Sequence, residues 1–98
     1  METLKFEYEA KRPLQRRAHV GVVGSGDLEV LIEPSHGPAA DVRVRTSVDG
    51  YAPVWKQVLD RFFSRFHHAA HVEINDFGAT PGTVTLRLEQ AAEEVRSQ

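Results

Sequence analysis

The chain contains no cysteine, which removes disulfides, thiolate metal sites and cysteine nucleophiles together and leaves the reducing cytosol as the expected address. It also lacks a long apolar run. The opening METLKFEYEA alternates charged and apolar residues, so neither a signal peptide nor a membrane span is expected. Charge of one sign is not in excess either: 12 Lys and Arg against 14 Asp and Glu give a net charge of -2 and a pI near 6.2. That balance argues against a nucleic-acid or anionic-membrane partner. Gly (7) and Pro (5) are too few for a collagen-like or low-complexity chain, and 41% hydrophobic with 27% charged residues is the composition of a chain that folds. At 98 residues, one domain spanning 1–98 is expected.

What is present is alternation. Leu4, Phe6 and Tyr8 alternate with Lys5, Glu7 and Glu9, the period of a strand with one wet face, predicted over 3–10. The basic stretch 11–17, interrupted by Pro13, has no apolar period and reads as a solvated connection. Ala18, Val20 and Val22, then Leu28, Val30 and Ile32, form two further alternating sets around Gly24-Ser25-Gly26. They predict a hairpin in which Val22 faces Leu28, Val20 faces Val30 and Ala18 faces Ile32. Its three-residue loop puts Ser25 at the tip and Gly26 at the left-handed position, with Gly24 at negative φ. Val42, Val44, Thr46 and Val48 predict a fourth strand.

From Tyr51 the period changes to that of a helix. Tyr51, Val54, Trp55, Val58, Leu59, Phe62, Phe63 and Phe66 share one face, Pro53 lies in the first turn, and the stripe reads as core. Ala70, Val72 and Ile74 predict a fifth strand, reached through a helical crossover and therefore compatible with a parallel partner in the fourth. Thr80 and Pro81 offer a cap and first position for a second helix, with Val84, Leu88, Ala91 and Val95 on one side. A strand over 83–88 competes with its first half. The order ββββαβα predicts an α+β, two-layer sandwich: a mostly antiparallel sheet with two helices on one face.

Candidate chemistry is sparse. Gly21, Gly24 and Gly26 spell a reversed dinucleotide fingerprint followed by a strand, so no helix N-terminus awaits a phosphate. Ser25 lacks the pattern of a nucleophile elbow, since position 23 is Val. His67 and His71 straddle a helix–strand junction with no acidic residue completing a metal set, and read as solvated side chains. Asp76-Phe77-Gly78 reads as a turn. A serine between two glycines at a hairpin tip suits an enzyme that attaches a group to a hydroxyl; an ordinary polar turn serine is the alternative.

The segments Val20–Val30 (VGVVGSGDLEV), Thr46–Gly50 (TSVDG), Asp76–Gly82 (DFGATPG) and Leu86–Ala91 (LRLEQA) together resemble the acyl carrier (delta) subunits of biotin-independent malonate decarboxylases. A more distant similarity runs to the carrier subunit of citrate lyase. The resemblance implies a non-catalytic carrier with no metal site, in which Ser25 is the covalent attachment point of 2'-(5''-phosphoribosyl)-3'-dephospho-CoA and Gly24 and Gly26 flank it. It further implies acetyl and malonyl thioesters on that group, cytoplasmic malonate catabolism, and as partners the transferase and decarboxylase subunits and a prosthetic-group transferase. The Asp-Ser-Leu motif that opens a helix in ordinary acyl carrier proteins is missing. A small protein- or ligand-binding α+β module without covalent modification, and a small serine hydrolase, are the alternatives.

Overall fold

The computed structural model describes residues 1–96. Its elements are β1 (Glu2–Glu9), β2 (Arg12–Pro13), β3 (Ala18–Gly21), β4 (Leu28–Pro34), β5 (Ala39–Thr46), α1 (Ala52–Phe63), β6 (His68–Asp76) and α2 (Pro81–Arg96). Five strands lie side by side in the order β1-β5-β6-β4-β3. All long pairings are antiparallel except β5 with β6, the pair joined through α1 as the crossover predicts. The architecture is the expected α+β sandwich.

Alternation decides which side of the sheet is dry. Leu28, Val30 and Ile32 of β4, Val42 and Val44 of β5, and Ala70, Val72 and Ile74 of β6 are buried. Their sequence neighbours Glu29, Glu33, Arg43, Arg45, His71 and Glu73 are not. Against the dry face lie Trp55, Leu59, Phe62 and Phe63 of α1, and Val84, Leu88, Ala91, Ala92 and Val95 of α2. Each Val, Leu, Ile or Phe among them contributes about 1.5–3 kcal/mol when fully withdrawn from water, so this seam holds the two layers together. The helical stripe is core at Trp55, Leu59, Phe62, Phe63 and Phe66, whereas Tyr51 is exposed and Val54 and Val58 are only half-buried. Position 84–88 is helix rather than strand, because its alternation is also compatible with the i, i+4 spacing that α2 continues to Val95.

Three local expectations are corrected. The stretch 11–17 is not wholly a solvated connection: Arg12 and Pro13 pair in parallel with His68 and Ala69, and Leu14 is 6% exposed within the core. A lone apolar residue carries no period, so the sequence pattern could not detect it. Helix α1 ends at Phe63, not Phe66; Phe66 is nonetheless buried, its amide donating to the Phe62 carbonyl at 3.1 Å. Finally, β3 stops at Gly21, opposite Glu29. The pairs Ala18–Ile32 and Val20–Val30 stand as predicted, but Val22 does not face Leu28 in the ladder and is 63% exposed.

Candidate functional site

Gly21 is the reason the hairpin opens early. Its φ is +84°, a left-handed conformation that turns the chain out of the strand at little cost only for glycine. A Cβ there would stand 2.1 Å from the Leu28 carbonyl oxygen. The connection is therefore longer than the predicted three residues, and Val22 and Val23 lie on its exposed rising limb.

At the tip, the Asp27 amide donates to the Gly24 carbonyl at 3.1 Å, closing a turn over Ser25 and Gly26. Gly26 has φ +75° whereas Gly24 is not left-handed, as the sequence predicts. Ser25 is exposed, and a Cβ on either flanking glycine would meet nothing within 4 Å. Approach to the hydroxyl is open from both sides.

The tip is anchored from beneath. Gly26 N–H donates to the Phe77 carbonyl at 2.7 Å and Phe77 N–H donates to the Asp27 carbonyl at 2.9 Å, carrying the β4–β6 contact beyond its last paired residues, Leu28 and Asp76. The Asp27 carboxylate accepts from Arg87 Nε at 3.2 Å, Arg87 Nη2 at 2.9 Å and the Leu28 amide at 2.7 Å. This two-toothed pairing fixes direction as well as distance. The Arg87 hydrogen bonds, aided by the Leu28 amide, hold the Asp27 carboxyl below the usual carboxylate range.

The turn that receives the tip is itself built on a buried polar pair. Asp76, 4% exposed, accepts from Thr46 Oγ1 at 2.8 Å and from the Ala79 amide at 3.0 Å. Thr46 Oγ1 in turn accepts from the Val48 amide at 3.1 Å. Thr80 Oγ1 then caps α2 by accepting from the Thr83 amide at 3.2 Å. The turn and the cap are legible in the sequence, whereas the roles of Asp76, Thr46, Asp27 and Arg87 are not. The Asp-x-Gly spacing was the available signal for Asp76; Arg87 lies 60 residues from Asp27 and no local pattern links them. The histidines are not brought together as a metal set: His71 pairs with Asp41 on the outer sheet face, and no group of metal-ligating side chains occurs among the described residues.

The sequence model described as "Malonate decarboxylase delta subunit (MdcD)" matches residues 15–95. The chain belongs to that family. Within it, the chain is 54% identical over 96 residues to the malonate decarboxylase acyl carrier protein of Azotobacter vinelandii, covering 97% of each chain. It is 56% identical over 95 residues to that of Pseudomonas aeruginosa, covering 96% of each. The fold also matches a chain in the crystal structure of a Pseudomonas malonate decarboxylase hetero-tetramer in complex with malonate, with a TM-score of 0.92 and 51% identity over 97% of this chain and 99% of that one. For a delta-subunit chain, a prosthetic group is implied, and the residues present fit one. An exposed hydroxyl, bare flanks and a backbone pinned by Phe77 and Arg87 allow a bulky adduct at Ser25 without displacing any packed side chain.

Proposed function

We propose that this chain is the acyl carrier subunit of a cytoplasmic malonate decarboxylase, itself non-catalytic, with Ser25 bearing phosphodiester-linked 2'-(5''-phosphoribosyl)-3'-dephospho-CoA. The observation that carries the proposal is the presentation of Ser25: exposed, between two unobstructed glycines, on a tip pinned at its base. Once attached, the group supplies a thiol on which acetyl and malonyl are held as thioesters. The chain's own residues do the positioning. Gly24 and Gly26 clear the approach for a prosthetic-group transferase, while the Asp27–Arg87 pair and the Phe77 backbone hold the attachment point still relative to the fold.

Tethering raises the effective concentration of substrate at each active site without requiring the carrier to bind it tightly. With a net charge of only -2, long-range steering toward the transferase and decarboxylase subunits is weak, and local contacts must set the docking geometry. Ser25→Ala in the assembled complex is expected to abolish malonate decarboxylation while leaving the carrier's stability within about 0.5 kcal/mol, as for other exposed substitutions. Appreciable turnover by a fully assembled Ser25→Ala complex would refute the attachment site. Such turnover would favour an unmodified binding module instead.

A further inference from the structure

A cleft of about 300 Å³ opens between the N-terminal halves of the two helices, a volume within the range of small-ligand sites. Tyr51, Val54, Trp55 and Val58 of α1 and its N-terminal flank form one wall; Ala79 and Val84 form the other. Its floor is the Thr46–Asp76 pair, in which one carboxylate oxygen takes the Thr46 hydroxyl and the other the Ala79 amide. Both oxygens are thus supplied with donors by the protein itself. The floor calls for no cation, and the site suits a neutral occupant with apolar stretches.

Gly78 joins this cleft to the serine loop. It lines the cleft, and a Cβ at its position would lie 3.9 Å from both the Cα and the amide nitrogen of Gly26, the residue after Ser25. The larger hollow of about 440 Å³ differs on both counts: it lies on the outer sheet face among Lys5, Asp41, Arg43, His71 and Glu73, and its lining includes no residue of the serine loop. His71 and Asp41 already partner each other there.

We propose that the cleft between α1 and α2 receives the arm carried on Ser25, holding its uncharged, amide-containing stretch against Trp55 and Val58 between transfers. The proposal rests on the reading of Ser25 as the attachment residue. Covalent attachment beside the mouth supplies the high local concentration that lets a shallow, weakly binding cleft be occupied. The apolar walls favour an arm ending in a neutral group and disfavour one ending in a carboxylate, whose desolvation they do not compensate. An arm bearing a malonyl group is therefore released more readily than one bearing a thiol or an acetyl group.

The absence of cysteine makes the arm's thiol the only thiol in the loaded chain, so its reactivity can be read directly. The full-length carrier is loaded, its mass adduct is verified, and its reaction with an aromatic disulfide reagent is compared with that of free dephospho-coenzyme A. The thiol of the loaded carrier is expected to react about tenfold more slowly, equivalent to about 1.4 kcal/mol of favourable seating. Val54→Phe, which fills the cleft, should restore the free rate. A wild-type carrier reacting at the free rate, or a Val54→Phe carrier as protected as wild type, would overturn the proposal. Should Val54→Phe fail to fold, the emission of Trp55, the one tryptophan, decides: a change on loading supports the cleft and an unchanged spectrum overturns it. Lack of a mass adduct on Ser25 would instead refute the attachment reading, and this proposal with it.

Discussion

Three glycines within six residues of one another carry different physical burdens. At Gly21 a side chain is excluded twice, by φ +84° and by the Leu28 carbonyl 2.1 Å from the Cβ position. At Gly26 only the backbone conformation objects, since φ is +75° but the space is open; at Gly24 neither objection applies. Alanine substitutions should therefore rank in that order. Gly21→Ala is expected to cost more than the roughly 1 kcal/mol of left-handed strain alone, Gly26→Ala about that amount, and Gly24→Ala almost nothing. Urea midpoints of the three variants check the ranking, and a Gly24→Ala loss equal to that of Gly21→Ala would contradict the loop described here.

Asp27 gives a second test at this scale, through acid. Because Arg87 and the Leu28 amide hold its carboxyl below the ordinary range, the folded state binds the proton less readily than the unfolded chain. The stabilisation is complete above the unfolded value of about 3.9 and is lost as the pH falls through the lower folded value. Asp60 is depressed in the same sense, by the Tyr8 hydroxyl and Lys56, so the whole acid limb does not belong to Asp27. Arg87→Met should lower stability at neutral pH and make the decline below about pH 4 shallower, because the shift it removes is the source of part of that decline. Parallel acid titrations of wild type and variant measure the difference; identical slopes would mean that the ion pair does not hold the tip.

Among the elements, those with a repeating apolar period were legible from sequence and those fixed by single long-range contacts were not. The helix stripe from Trp55 to Phe63, the Thr80 cap and the inward sets of β4, β5 and β6 follow from periodicity and local hydrogen bonding. The two-residue β2 and buried Leu14 have no such signature. The early end of β3 was hidden by Val22, which continues the alternation in sequence while Gly21 has already turned the chain away. At the candidate site, Ser25 and the left-handed Gly26 were readable from a glycine-serine-glycine connection. The platform of Asp27, Phe77 and Arg87 was not, because it joins the loop leading into β4, the β6–α2 turn and α2 across the fold.

Phe62 tests the α1 seam. It is 5% exposed, meets Phe63 edge-on with centroids 5.0 Å apart and stacks on Phe66 at 5.1 Å. Phe62→Ala should cost about 3–5 kcal/mol, measured by urea denaturation of the isolated subunit. A loss below about 1 kcal/mol, small for any core site, would indicate that this stripe meets a partner rather than the sheet.

For the molecule as a whole, the proposed division of labour is between a two-layer body that supplies rigidity and one projecting hydroxyl, that of Ser25, that would carry the function. A loss of about 3–5 kcal/mol in the body is a large share of the 5–15 kcal/mol typical of a domain, whereas the exposed Ser25 hydroxyl can be removed with little effect on folding. The two kinds of variant should accordingly separate: body variants lower stability and loading together, and Ser25 variants abolish loading alone. The most direct measurement is peptide-level mass spectrometry of the chain isolated from its native host growing on malonate. Trypsin releases residues 18–43 as one peptide holding both Ser25 and Ser35, so fragmentation must assign the modified position. A phosphoribosyl-dephospho-CoA adduct is expected on Ser25; an unmodified peptide from an active complex, or an adduct on Ser35, would refute that assignment.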